Sequence, residues 1–226
     1  MNGYIDMHAH ILPGVDHGSD SVETSLEQLY SAEKAGVSVI AATPHYYPDR
    51  IGAHSFFERR DAAVYEIMEE YSGCIEILPG AEVYLCEGMQ NHPRLNELCI
   101  KGTSVILIEM PSPPWSQRYV QTLEGIEDRG YRVLLAHVER YPAKNMNKLF
   151  ELGFVGQFNA ESLRNPFLGR QINKLIDNGR IAAIGSDIHG SSPETYKNFG
   201  EKMCCLGNRG ELLLLRTEKL LNKRVG

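Results

Sequence analysis

The sequence predicts an α/β fold: a parallel sheet covered by helices and closed, or nearly closed, into a barrel. Three observations predict it. Seven short apolar runs, continuous rather than alternating, are separated by segments with apolar residues at helical spacing, as for parallel strands buried on both faces. Six of the seven runs end in a His, Asp or Glu, and a parallel β/α barrel gathers its strand C-termini on one face, where the site is built. The 226 residues suit a single domain over 1–226, and a hydrophobic content of 42% supplies a full core.

The first run, Tyr4, Ile5 and Met7, leads into Asp6-Met7-His8-Ala9-His10. Residues i and i+2 of a strand share a face, so His8 and His10 turn toward one point. Gly14-Val15-Asp16-His17-Gly18 is a turn-rich loop. Asp20 and Glu23 form a D-x-x-E capping pattern before Val22, Leu26, Leu29 and Tyr30, and Gly36 stops the helix. Val37 to Ala42 is a buried strand ending in Thr43-Pro44-His45. Ser55 with Glu58 is expected to cap a second helix, with Phe56, Phe57, Val64, Ile67, Met68 and Tyr71 on its apolar side. Ile75 to Val83 delivers Glu82, and Val105 to Ile108 runs into Glu109. Residues 116–129 read as helix stopped by Gly130. Tyr131 to Ala136 leads into His137, and a short helix holds Leu149. Phe154 to Phe158 ends at Asn159. Pro166 opens a helix through Ile172, Leu175 and Ile176, with Gly179 after it. Ile181 to Ile184 ends in Gly185-Ser186-Asp187-Ile188-His189, and Leu212 to Leu221 makes a final helix.

The bulk properties exclude several classes. The net charge of −6 without a basic stripe argues against a nucleic-acid partner. With no apolar run of membrane-spanning length and no signal-like N-terminus, membrane insertion and secretion are not expected, and the chain reads as cytoplasmic. Five cysteines without a C-x-x-C read as reduced thiols, mostly small buried hydrophobes, with Cys204-Cys205 packing a helix. None stands in the C-x5-R setting that a thiol-based phosphatase needs.

His8, His10, His45, Glu82, Glu109, His137, Asp187 and His189 stand at strand C-terminal ends. With Asp16 they make nine candidate metal ligands, five imidazoles and four carboxylates, which suits two or three ions. Without thiolate the set fits Mn²⁺, Fe²⁺ or Zn²⁺. Four carboxylates against three divalent ions leave about +2, so the site attracts a dianion and a phosphate monoester is the natural substrate. Adjacent ions lower the pKa of a bridging water and clamp phosphoryl oxygens during in-line displacement. The remaining histidines His17, His54 and His92 read as loop residues, His17 being the best placed beside Asp16. Tyr46, Tyr47, Trp115 and Tyr141 are candidates to stack on a substrate ring, though loop aromatics more often cap a core. Arg50, Arg164 and Lys197 read as solvated charges, and Asn159 as a residue that orients groups in the site.

The stretch Ile5-Asp6-Met7-His8-Ala9-His10-Ile11-Leu12-Pro13-Gly14-Val15-Asp16 resembles the opening of the polymerase-and-histidinol-phosphatase (PHP) superfamily. It is most similar to the CpsB/CapC/YwqE-type manganese-dependent protein tyrosine phosphatases of bacterial capsule and exopolysaccharide loci. The resemblance continues through Ala42-Thr43-Pro44-His45, Pro79-Gly80-Ala81-Glu82-Val83, Leu107-Ile108-Glu109-Met110, Ala136-His137-Val138-Glu139-Arg140-Tyr141, Gln157-Phe158-Asn159-Ala160 and Gly185-Ser186-Asp187-Ile188-His189. It implies a TIM-like, distorted (β/α)7 barrel with three ions. It implies one ion on His8, His10, Glu82 and Asp187, and a second on Glu82, Glu109 and His137. The third falls to Asp16, His45 and His189. Arg140 would fork onto phosphate, and Arg140, His45 and Asp187 are the expected catalytic residues. The chain departs from the family's usual pattern at His17, where a second Asp is common, and at Val138. No arginine follows Asp187-Ile188-His189 within Gly190-Ser191-Ser192-Pro193-Glu194; Lys197 is the nearest cation.

The expected function is hydrolysis of phosphotyrosine on a bacterial tyrosine autokinase that controls capsule or exopolysaccharide synthesis, with Mn²⁺ as cofactor. Two other readings remain at this level. One is a small-molecule phosphatase such as a histidinol phosphatase. The other is a non-catalytic regulator binding a phosphorylated kinase tail, which has no need of so many ligands.

Overall fold

All seven expected apolar runs appear as strands, but not as one continuous ladder. The computed structural model describes residues 3–222. The chain runs β1 (Tyr4–Ala9), α1 (Val22–Lys34), β2 (Val37–Ala42), β3 (His45–Tyr46), α2 (Ala53–Glu70), β4 (Glu76–Pro79), β5 (Glu82–Tyr84), α3 (Leu95–Leu98) and β6 (Val105–Glu109). It continues α4 (Gln117–Asp128), β7 (Arg132–Leu135), α5 (Ala143–Glu151), β8 (Val155–Asn159), α6 (Pro166–Asp177), β9 (Ile181–Gly185), α7 (Pro193–Leu206) and α8 (Asn208–Leu221). Every strand pairing is parallel, in the orders β1-β2-β4 and β3-β5-β6-β7-β8-β9.

The closed or nearly closed barrel expected from the sequence is present as two parallel sheets, without one closed ladder among the described residues. The break has a local cause. Pro44 has no N–H to give to a ladder, so the second predicted strand stops at Ala42 and resumes as β3. The third predicted strand divides alongside it, into β4 and β5. Backbone bonds still tie the two breaks together, Gly80 N–H to Ala42 O at 2.8 Å and Glu82 N–H to Pro44 O at 3.0 Å. At the other junction the segment after β9 bonds to β1, with Asp187 N–H donating to His8 O at 2.8 Å and His10 N–H to Ile188 O at 3.3 Å.

One apolar cluster fills the space between strands and helices. A smaller one takes Ile5 and Met7 of β1, Val39 and Ala41 of β2, Val105 and Leu107 of β6, Leu134 and Ala136 around β7, and Ala183 of β9. Strands that share an inner cluster curl around it, and the next residue on the same side of β6, Glu109, enters the polar site above that apolar floor.

The helix caps differ from the sequence patterns. Ser21, not Asp20, caps α1: its extended backbone lets Oγ accept from Thr24 N–H at 3.2 Å, while Asp20 accepts from the Thr24 hydroxyl at 2.6 Å. The expected Ser55 cap is absent, because α2 already begins at Ala53 with Gly52 before it. Met68 faces solvent, and the buried face of α2 uses Arg60 and Ala63 beside Phe56, Phe57 and Ile67. Only Cys99 of the five cysteines is buried; Cys74, Cys204 and Cys205 are exposed, so the vicinal pair does not pack a helix. Among the described residues no helix is long and apolar enough to cross a membrane.

Candidate metal centre

The site begins at the end of β1, where backbone and side-chain bonds orient both histidines. The Asp6 carboxylate is fully buried. It accepts from His8 N–H (3.1 Å), from Ser186 N–H after β9 (2.9 Å) and from the Tyr196 hydroxyl of α7 (2.9 Å). One side chain thus fastens the two ligand-bearing strand ends and the helix behind them. His8 Nδ1 lies 3.2 Å from Gln157 Oε1, which also accepts from His137 N–H at 2.8 Å. His10 Nδ1 lies 2.7 Å from Asp16 Oδ2. With both Nδ1 atoms committed as donors, neutral rings present both Nε2 lone pairs to the same space, 3.0 Å apart. Two lone pairs at that distance need a proton or a metal cation beside them. Burial alone would depress both imidazoliums, but Glu82, Asp187 and Asp16 outweigh it and hold them above their ordinary value.

Glu82 is the hub. Delivered by β5 opposite His45 of β3, it is buried among four imidazoles. Its oxygens lie 3.1 Å from His8 Nε2, 3.3 Å from His10 Nε2, 2.9 Å from His45 Nδ1 and 2.9 Å from His137 Nε2. Burial would raise its carboxyl, yet those imidazoles hold it well below the usual range. Glu109 stands 4.0 Å from His45 and 3.8 Å from His137; burial and the neighbouring Glu82 charge push its carboxyl up. His137 closes β7 in a left-handed conformation, φ 31°, which turns the chain at the strand end and aims the ring at Glu82.

Asp187, also left-handed (φ 52°), brings Oδ1 within 3.5 Å of His8 Nε2 and 3.4 Å of His10 Nε2. Its Oδ2 accepts from Asn159 Nδ2 at 2.8 Å and pairs with the Arg140 guanidinium. Gln157 Nε2 in turn donates to Asn159 Oδ1 at 2.9 Å, so one amide pair positions His8, His137 and Asp187 together. Asn159 has the orienting place expected of it. Gln157 has a role that the sequence signals only by a polar Gln two residues before Asn159 on one apolar strand. Burial pushes the Glu139 carboxyl up to about 7 while its Oε1 accepts from Asn159 N–H.

Three overlapping donor groups result among the described residues: His8, His10 and Glu82; His45, Glu82 and Glu109; and His10, His45 and His189. Within each, the ligand atoms lie within 4.8 Å of one another. His137 and Asp187 border them. The donors fit divalent ions: Glu82 Oε2, Glu109 Oε2, His45 Nδ1, His137 Nδ1 and His189 Nε2 are buried without hydrogen-bond partners, a costly arrangement in a protein interior unless metal ligation answers it. Sharing of Glu82, His10 and His45 between groups suits neighbouring ions.

Asp16 and His17 lie at the edge of the cluster. Asp16 turns its oxygens to His10 Nδ1, to His45 N–H (2.8 Å) and to Gly18 N–H (2.9 Å), behind the imidazoles. Gly18 permits this, since a Cβ there would come within 2.3 Å of the His10 Cβ. His17 joins the cluster's rim, its ring stacked on His45 at 4.8 Å and 4.6 Å from the His189 ring. His54 pairs with Glu58 on the surface and His92 with the Tyr46 hydroxyl, away from the site. Tyr46 is buried, and Tyr141 and Trp115 are tied to the Met110 and Pro111 backbone.

A sequence profile described as capsular polysaccharide synthesis, CpsB/CapC, matches residues 4–197, a stretch that contains every metal candidate. The chain belongs to the CpsB/CapC family. It is 26% identical to tyrosine-protein phosphatase YwqE of Bacillus subtilis, over 97% of this chain and 94% of that protein. Identity to tyrosine-protein phosphatase CpsB of Streptococcus pneumoniae is 27% over 82% of each. Its fold matches a crystal structure from the study of YwqE and CpsB as unique metal-dependent tyrosine phosphatases, with a TM-score of 0.81, 25% identity, and 98% and 95% of the two chains covered. The imidazole–carboxylate cluster accordingly lies in a CpsB/CapC-family chain whose relatives are named tyrosine phosphatases.

Proposed function

We propose that this chain is a metal-dependent protein tyrosine phosphatase. Its substrate is phosphotyrosine on a bacterial tyrosine autokinase of capsule or exopolysaccharide synthesis. The observation that carries the reading is Glu82, a buried carboxylate ringed by four imidazoles, in a family of named tyrosine phosphatases. We read residues 1–226 as one catalytic domain with a distorted (β/α)7 barrel plan, acting in the cytoplasm, where its five free thiols would persist. Mn²⁺ is the cofactor of this reading, with Fe²⁺ or Zn²⁺ compatible with the same donors.

His8, His10, His45, Glu82, Glu109, His137, Asp187 and His189 would hold the ions, and Asp16 would orient His10 from behind. Bound ions would supply Lewis acidity toward phosphoryl oxygens and a water of lowered pKa. The rest falls to the chain's own groups. The Arg140 side chain is 55% exposed and tethered to Asp187, which places a planar cation at the mouth to fork onto a phosphoryl group. Asn159 donates to the Asp187 oxygen that also pairs with Arg140 and so holds that carboxylate in place, and Gln157 fixes the His8 tautomer. Metal analysis with parallel assays on a phosphotyrosine peptide and histidinol phosphate tests the function. Two to three ions per chain with turnover of the peptide are expected; turnover of histidinol phosphate alone would replace the reading with a small-molecule phosphatase.

A further inference from the structure

Outside the ligand cluster, the best-defined unassigned feature is the step of the sheet just beyond it. His45 of β3 pairs with Glu82 of β5, and both belong to the candidate donor groups. Two residues outward on the same side of β5 stands Tyr84, in register with Glu109 of β6. Two residues beyond His45 stands Tyr47. The Tyr47 ring stacks on His45 at 5.3 Å and meets Tyr84 at 5.5 Å, while the Arg50 guanidinium lies over Tyr47 at 4.7 Å. A metal-facing rung is thus followed, about 6.6 Å further out, by an aromatic one.

These groups are free for a ligand. Among the described residues neither phenol has a hydrogen-bond partner and Arg50 has no carboxylate partner. The aromatic pair on the other wall differs: Tyr141 bonds both the N–H and the carbonyl of Met110, and Trp115 donates to Pro111 O, so both serve the loop.

We propose that Tyr47 and Tyr84, with Arg50 laid over Tyr47, form a shelf that receives the aryl ring of the substrate and selects aryl over alkyl phosphomonoesters. The inference rests on the phosphatase reading for its substrate class. A phosphoryl group held at the His45–Glu82 rung projects its ester substituent outward onto the tyrosine rung. A flat ring meets Tyr47 and Tyr84 there by offset or edge contact, which an alkyl chain satisfies poorly.

The test is calorimetric binding of phenylphosphonate and methylphosphonate to metal-loaded protein, beside hydrolysis of phosphotyrosine. Wild type should bind phenylphosphonate more tightly. Tyr84→Leu and Tyr47→Leu should each weaken phenylphosphonate roughly three- to tenfold and leave methylphosphonate nearly unchanged, with Tyr84→Phe retaining the preference. If Tyr47→Leu loses metal through its contact with His45, Tyr84→Leu decides. No phenyl preference in wild type, or equal losses for both phosphonates in Tyr84→Leu, would overturn the shelf. A wild type that prefers phenylphosphonate yet hydrolyses no phosphotyrosine would remove the phosphatase reading and leave the shelf standing.

Discussion

Replacing Glu82 by Gln isolates charge from shape. The two side chains are nearly isosteric, so no cavity opens around this buried position. What changes is one of the carboxylate oxygens: an acceptor becomes an NH₂ donor facing nitrogens at 2.9–3.3 Å. Glu82 belongs to two of the three donor groups, so it bears on two ions. Taking about 1.5–3 kcal/mol for each charge-assisted contact, two such losses weaken metal retention by roughly 10²–10⁴-fold. Asp16→Asn is the internal control. It touches His10 from behind through a single 2.7 Å bond, and such orienting groups alter affinity about 10–100-fold. Metal content after dialysis against graded chelator, with kcat/KM on a phosphotyrosine peptide from the same samples, gives both numbers. A folded Glu82→Gln protein that keeps its metal and its rate, or that loses less than Asp16→Asn, would refute the placement of Glu82 between two ions.

Further outcomes follow from the same contacts. Arg140→Ala should lower kcat/KM roughly 10²–10³-fold with metal content intact, as for other single preorganised donors; a fully metallated variant at near wild-type rate would restrict Arg140 to its pairing with Asp187. Gln157→Leu strips the acceptor from His8 Nδ1 and His137 N–H, so melting should show a loss of about 1–3 kcal/mol and metal affinity should fall about 10–100-fold. His8 and His10 are held above their ordinary pKa, so bound metal must displace their protons. Affinity should therefore tighten as pH rises, and calorimetry in buffers of different ionisation enthalpy should register proton release; its absence would show that the carboxylates around His8 and His10 do not hold the rings protonated.

The candidate ligands were legible in the sequence because strand-end position is a one-dimensional property. Val105 to Ile108 running into Glu109, or Tyr131 to Ala136 into His137, shows an apolar run and the polar residue that ends it. Parallel pairing then brings those ends together. Capping was less legible: Ser21 and Gly52 depend on backbone angles that neighbouring packing sets, so the D-x-x-E and S-x-x-E patterns pointed to the wrong residues. Burial of the cysteines failed for a similar reason, since composition places a thiol inside while helix orientation leaves Cys204 and Cys205 outside.

By itself, the sequence determined the α/β class, the residues that enter the centre and the family, because periodicity, strand-end chemistry and motif order are all written along the chain. Only the tertiary structure decided how those residues divide their work. It set Asp16 behind His10, brought His17 onto the rim, linked Gln157 and Asn159 to three ligands, and replaced one expected ladder by two sheets broken beside Pro44. Those relations join residues as far apart as Asp6 and Tyr196, and the direction in which a carboxylate or imidazole turns is settled by which donors and acceptors the packed chain brings within 3 Å of it.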